Sequence, residues 1–361
     1  MHNQSKFFKE LKVVELASVL AGPAVGMFFA ELGAKVIKIE NKNGGDVTRS
    51  WKNPNEASND EKSAYYHAVN WNKEVLFLDL TTNLDRDELL NLLKEADILI
   101  TNFKSGDDEK FNLVSKDLTA QFPSLIIGEI AGYSDSSKVA FDAVLQAETG
   151  FMSLNGTQES GPLKMPIAMI DILAAHQLKE GILLALMHKT KFNQGSIVKV
   201  NLFDAAISSL ANQASNWLNS SYESPRMGSL HPNIAPYGET YQTKDDKLIL
   251  VAIGSDKQFS SLCTILNANE LIADIRFAKN AERVKNRVEL NLLIAHKFKL
   301  ELSSHWMKLF NEHNVPAGLV NSIADVFDIA AAQEKILHQT EGNGTISKRV
   351  ETIAFKINDG N

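Results

Sequence analysis

The stretch VVELASVLAGPAVGMFFAELGAKVIKIE, residues 13–40, decides the fold class. With Leu11 and Lys12 ahead of it, LKVVEL at 11–16 reads as a short apolar strand. A turn at Ala21-Gly22-Pro23 leads into an apolar helix that runs to Leu32, where Gly33 ends it. KVIKIE at 35–40 reads as a second strand, so the segment is a β-α-β unit. An acid at the end of the second strand, Glu40, is also a feature of dinucleotide-binding units. Only the loosely spaced Gly22 and Gly26 stand where that motif needs three glycines. A structural β-α-β unit is therefore the favoured reading, and an NAD-dependent oxidoreductase stands as a rival.

The same texture continues outward. VLFLDL at 75–80, a charged helix near 84–95, ADILITNF at 96–103 and SLIIGEIAGY at 124–133 alternate strands with helices. That alternation predicts an α/β fold with a mostly parallel sheet covered on both faces. After residue 141 the pattern turns helical, with helices expected near 172–188 and 203–218 and a turn at Gly195 followed by the strand SIVKVNL between them. From about 225 the texture breaks at Pro225, Gly228, Pro232 and Pro236. It then enters YGETYQTKDDKLILVAI at 237–253, a hairpin with its polar turn at Lys244–Lys247. Charged helical segments follow, so 225–315 reads as a second, small α+β domain.

Composition narrows the function classes. The 361 residues are 44% hydrophobic, enough for one large core and a smaller one. A net charge of −7 argues against a nucleic-acid or anionic-membrane surface. The single cysteine, Cys263, forms no intrachain disulfide and no Cys-rich metal site, which points to the cytoplasm. The opening MHNQSKFFKELKVVEL lacks the apolar run of a secretion signal, and no stretch approaches the roughly 18 apolar residues of a membrane span. A soluble, cytoplasmic protein is expected. No P-loop, HExxH, GxSxG or cysteine-pair motif is present.

Asp171 is the acid that stands out. PIAMID leads from an extended apolar segment into ILAAHQLKEGILLALMHK, which places Asp171 at a helix N-terminus. Its plain role there is an N-cap. The same place favours negative charge, so a carboxylate with an ordinary pKa of roughly 3.9 stays ionised at neutral pH and is able to attack an activated carbonyl. The two roles are compatible. His176, five residues on, points away from Asp171 and reads as a partly buried polar residue. Cys263 reads as a small core residue, and Phe28, Phe29, Phe141 and Phe151 read as core aromatics.

Together these segments resemble the family III CoA-transferases, the group of formyl-CoA transferase, carnitine CoA-transferase and α-methylacyl-CoA racemase. The opening through Trp51 is similar to the family's N-terminal signature, and NWNKEVLFLDL (70–80), ADILITNFKSG (96–106) and AFDAVLQAETGFMSLNG (140–156) follow in order. IAMIDILAAHQLKEGILLAL (167–186), VNLFDAAI (200–207), HPNIAPYGETYQTKDDKLILVAIGSDKQF (231–259) and VPAGLVNSIADV (315–326) complete the likeness. The resemblance implies a large Rossmann-like CoA-binding domain of residues 1–205 completed by 320–361, with 225–315 as the small domain. It further implies an interlocked homodimer in which Asp171 meets material from the partner chain. The activity implied is transfer of CoA from an acyl-CoA thioester to a carboxylic acid on Asp171, through an aspartyl anhydride and an aspartyl-CoA thioester, with no metal, no ATP and no permanently bound cofactor. Candidate contacts to CoA are Lys73, Asn102, Phe103, Lys104 and Lys110, with Asn102-Phe103 lining the adenine or pantetheine channel. Lys38 lies inside a strand pattern, and Arg49 and Trp51 follow the Gly44-Gly45 turn.

The racemase branch carries a histidine before the aspartate written here as Phe141-Asp142, and phenylalanine carries no proton. A 2-methylacyl-CoA racemase is thus the weaker alternative to a transferase. Three departures from relatives bear on CoA affinity and acyl specificity: Asn41 where a basic residue stands, Val139 where some transferases have lysine, and Ala175 in place of a glycine, which would crowd the acyl pocket. They keep a non-catalytic CoA-binding relative open as a further alternative.

Overall fold

The computed structural model describes residues 7–134 and 138–357. Residues 1–6 of the opening segment and 358–361 of the expected C-terminal part lie outside the described residues. The chain divides into two units, one drawn from Met1–Met152, Lys164–Ser221 and Glu334–Asn361, the other from Ser153–Leu163 and Tyr222–Gln333.

In the first unit six strands form one sheet: β1 (Lys12–Leu16), β2 (Lys35–Asn41), β3 (Glu74–Leu78), β4 (Ile98–Thr101), β5 (Ile126–Ala131) and β6 (Ile197–Asn201). Their spatial order is β3-β2-β1-β4-β5-β6 and every pairing is parallel, the doubly wound Rossmann-like arrangement. Alternation along the strands sorts side chains to two buried faces. Val13, Val36, Ile98, Ile100 and Ile126 pack with Val25, Phe28 and Phe29 of α1 (Ala21–Glu31) and with Leu178 and Ile182 of the helix Met169–Phe192. Val14, Leu16, Ile39, Leu99 and Ile127 face Leu89 and Leu93 of the helix Asn83–Leu93 and Leu118. Each such side chain contributes roughly 1.5–3 kcal/mol on burial, so the two layers hold the sheet from both sides.

One inward position on β1 carries charge. Glu15 sits directly beside Lys38 in the β1–β2 register, and both side chains are fully buried. Glu15 also binds Lys73 at 2.7 Å, while Lys38 reaches Asp46 at 3.1 Å. Two cations and two anions thus satisfy one another beneath α1, as buried charges require. Gly26 makes room for them: a Cβ there would lie 1.9 Å from Glu15 Oε2. That glycine serves packing inside the fold, and the first β-α-β unit is structural at this point.

The second unit holds a three-stranded antiparallel sheet ordered β7 (Tyr237–Gln242), β8 (Leu248–Ala252), β9 (Ala317–Leu319). Helices pack Phe259, Leu262, Leu290, Ile294, Phe298 and Phe310 onto it, and Phe298 stacks on Tyr241 at 4.7 Å. Cys263 is wholly buried in this core, and burial pushes its thiol up to about 12, so it is inert. Arg283, also wholly buried, donates to the carbonyls of Ala235 and Phe277 and to Asp256.

Two elements differ from the expectation. The helix expected over 203–218 is two helices, Leu202–Ser208 and Ala211–Ser220, because Ala211 takes a left-handed φ of 49°. The C-terminal segment forms a hairpin, β10 (Ile336–Thr340) and β11 (Ile346–Val350), which the sequence pattern did not indicate. Beyond it, the Thr352 and Ile353 amides donate to Glu31 at the end of α1, and Ile353 joins the core. No helix among the described residues is long and apolar enough to cross a membrane.

Candidate active site

The carboxyl ends of the strands open into a cleft of about 710 Å³ in the first unit. Ser18 to Ala21 follow β1, Thr101 to Ser105 follow β4, and Gly132 to Ser134 follow β5; all line it, together with Asp171. This is the crevice where doubly wound sheets bind ligands.

Asp171 lies in the first turn of the helix Met169–Phe192, whose buried stripe of Ala174, Leu178, Ile182 and Ala185 anchors it to the sheet. It is not the cap that the sequence suggested. The N-cap position is Ala168, which offers no side-chain bond, and the Ile170 amide donates instead to Asp142 Oδ1 at 2.8 Å. Asp142, held in turn by Gln146 Nε2 at 2.6 Å, therefore caps the helix from outside and leaves the Asp171 carboxylate uncommitted. Asp171 is 9% exposed and accepts no hydrogen bond among the described residues. Burial first, and the nearby negative charge of Asp142 second, push its carboxyl up to about 7. The ordinary carboxylate expected from the helix terminus is thus corrected, because burial and the Asp142 charge raise it. Tyr65 feels the same charges. Burial, then Asp171 and Asp142, push its phenol up to about 12, so it stays protonated.

The other expected residues fall in different places. Phe103 and Lys104 line the cleft, Lys104 with an exposed side chain. Asn102 also lines it, yet its amide is spent on the backbone: Ser18 N donates to its Oδ1 at 3.0 Å and its Nδ2 donates to Ser18 O at 2.8 Å. Lys73 is a correction. Its ammonium is sealed inside the fold against Glu15, Pro23 O and Asn70 Oδ1, and burial lowers it to about 8, so it does not reach a phosphate in the cleft. Lys110 lies off the cleft with its ammonium 5.1 Å from the Phe111 ring. Phe141 is corrected too, being 54% exposed on the cleft wall where a core aromatic was expected. Ala175 is buried in the core away from the cleft lining, so it does not crowd a ligand there. Asn41 and His176 are exposed, and Val139 stands on the cleft rim.

Lys116, Lys138 and Lys199 were not foreseen, and all three line the cleft. Lys199 pairs with Glu129 at 2.8 Å and Lys138 pairs with Glu148. Lys199 reaches the cleft because β6 lies beside β5 at the sheet edge, a neighbour relation that no local pattern encodes.

A carboxyl group poised near 7 has a kinetic signature if it must be ionised to react. Relative to the carboxylate form, activity with an acyl-CoA donor should fall about tenfold per pH unit below about 7. Asp142→Asn removes the neighbouring charge and should move that midpoint to lower pH. A pH–rate profile flat between pH 5 and 8 would contradict this account.

Known proteins similar to this chain identify its family. The model of CoA-transferase family III matches residues 8–359. A succinate–glutarate CoA-transferase of Agrobacterium fabrum is 36% identical, over 91% of this chain and 83% of that protein. The human succinyl-CoA:glutarate CoA-transferase is 31% identical, over 98% of this chain and 79% of its own length. Among solved structures, a CaiB/BaiF family protein from Brucella suis superposes with a TM-score of 0.87 at 35% identity, covering 98% of this chain and 93% of that one. The chain belongs to CoA-transferase family III and is an enzyme of the CoA-transferase type.

Proposed function

We propose that this enzyme exchanges CoA between dicarboxylic acids of the succinate and glutarate class, with Asp171 as the nucleophile. The reading is carried by one observation: a nine-tenths buried carboxylate that lines a cleft and has no hydrogen-bond partner among the described residues. A desolvated anion of that kind is a stronger nucleophile than one held by donors. The substrate class follows from the relatives, whose names specify succinate and glutarate.

Each step conserves the activated acyl bond. The Asp171 carboxylate attacks the thioester carbonyl, forming a mixed anhydride and expelling CoA thiolate. The thiolate attacks the Asp171 carbonyl, which releases the donor acid and leaves an aspartyl-CoA thioester. The acceptor carboxylate attacks that thioester, again expelling thiolate, and thiolate attack on the acceptor's carbonyl frees Asp171. Lys104, Lys116 and Lys199 at the cleft wall suit the CoA phosphates. Phe141 on that wall, in place of a proton carrier, favours transfer over racemisation. Exposed Leu184, Met187 and Phe192 on the Asp171 helix and Trp217 and Leu218 beyond it support the interlocked homodimer as the working form.

The test is incubation with succinyl-CoA labelled in its CoA moiety and a panel of mono- and dicarboxylic acids, followed by product analysis. Labelled glutaryl-CoA formed faster than any monocarboxylic product is the expected result. Transfer to short monocarboxylates alone would overturn the substrate class. Hydroxylamine added during turnover should convert Asp171 into a hydroxamate detectable by peptide mass, and its absence would overturn the covalent route.

A further inference from the structure

The loop that leaves β1 is held in an unusual shape, and three side chains hold it. Val19 has φ 72°, a left-handed conformation that β-branched residues rarely adopt. Consecutive backbone groups around it are all tied. Ala17 O accepts from Lys38 Nζ at 2.6 Å, Ser18 N and O bond the Asn102 amide, and Val19 N donates to Asp46 Oδ1 at 3.5 Å. Asp46 is itself fixed by the Thr48 amide and hydroxyl and by the buried Lys38 ammonium. Lys38 and Asp46 are 0% and 3% exposed, so the tethers start from inside the fold.

Strained backbone persists only where its surroundings over-determine it, and such sites cluster where ligands bind. Here Ser18, Val19, Leu20 and Ala21 line the same cleft as Asp171. A glycine at residue 19 would give the loop its shape without strain, but it would carry no wall. We infer that Lys38, Asp46 and Asn102 are positioning residues that act through Val19, whose left-handed backbone turns its side chain into the wall on which the acyl-CoA lies. The inference rests on the CoA-transfer reading of this cleft, and it adds the specific residue that shapes the bound thioester.

Val19→Gly tests it, because the variant relieves strain while removing the wall. The expected result is a thermal midpoint equal to or above that of the native enzyme, with KM for succinyl-CoA raised about tenfold and kcat changed less than KM. CoA affinity measured by calorimetry should weaken to a similar extent. Asn102→Ala, which frees Ser18, should raise KM in the same direction. If Val19→Gly leaves KM and CoA affinity within twofold of native, the inference is overturned. Calorimetry needs no turnover. Weakened CoA binding in a protein with no transfer activity would therefore support the positioning role and remove only the catalytic reading of the cleft.

Discussion

Asp171→Ala is expected to yield a folded protein whose CoA transfer is lost by about 10⁴-fold or more. The side chain makes no hydrogen bond among the described residues, and the helix terminus keeps its cap through Asp142 and the Ile170 amide. Removing the carboxylate therefore deletes the proposed nucleophile and little else. Asp171→Asn separates chemistry from stability. The amide is nearly the same size and does not form the anhydride, so activity should be lost equally. The folded-state carboxyl lies near 7 against an ordinary value of 3.8, so the native state binds this proton more readily than the unfolded chain does. The stability it contributes is full below about pH 3.8 and is lost as pH rises through about 7. The neutral asparagine avoids that loss. Its advantage over the native enzyme in denaturant unfolding should grow from pH 5 to pH 8, to roughly 2–4 kcal/mol. An asparagine variant with native turnover, or with no stability gain at pH 8, would contradict the assignment of a desolvated, reactive carboxylate.

Gly195→Ala should destabilise the fold strongly. A Cβ at this position would lie 1.9 Å from the Leu125 carbonyl oxygen and 2.5 Å from its carbon, atoms of a backbone that has nowhere to swing. The Gly195 amide donates to Pro123 O at 2.8 Å, and Ile127 N donates to Ser196 O at 2.9 Å on entry to the β5–β6 pairing. Relief of the clash requires moving the start of β6 away from β5, which breaks bonds on both strands. Alanine's better backbone entropy offsets about 1 kcal/mol at most, while overpacking against fixed backbone costs about 3 kcal/mol or more. A shift of the urea midpoint below that corresponding to about 2 kcal/mol would show that the turn yields more easily than this geometry implies.

Much of this molecule is legible along the chain because its signals are local. Apolar-rich runs at 13–16, 98–101 and 126–130, broken only by Glu15 and Glu129 among charged residues, mark strands, and Gly33 and the Gly195 turn punctuate them where the structure does. Asp171 is legible for the same reason, since a helix start after an apolar extended segment is a local pattern. What escaped depends on neighbours distant in sequence. Lys73 reads as any lysine before a strand, and only the juxtaposition with Glu15, 58 residues away, reveals it as a sealed internal cation. Lys199 reads as an alternating strand residue until the sheet order brings β6 to the cleft. The carboxyl shift at Asp171 likewise needs Asp142, and the capping bond that frees Asp171 spans 28 residues.

The tether between Glu31 and the amides of Thr352 and Ile353 has a consequence for synthesis. The N-terminal part of the sheet and α1 emerge from the ribosome first, yet Glu31 at the end of α1 meets its Thr352 and Ile353 partners only some 320 positions later. The interposed second unit has its own apolar core and is complete in sequence by Gln333, before that covering segment is made. The closing stretch of translation, after Gln333, therefore proceeds with the inner segment complete and the Glu31 end of α1 still without its C-terminal partners. Chaperone dependence during expression, and sensitivity to truncation within residues 334–357, should be concentrated in that interval.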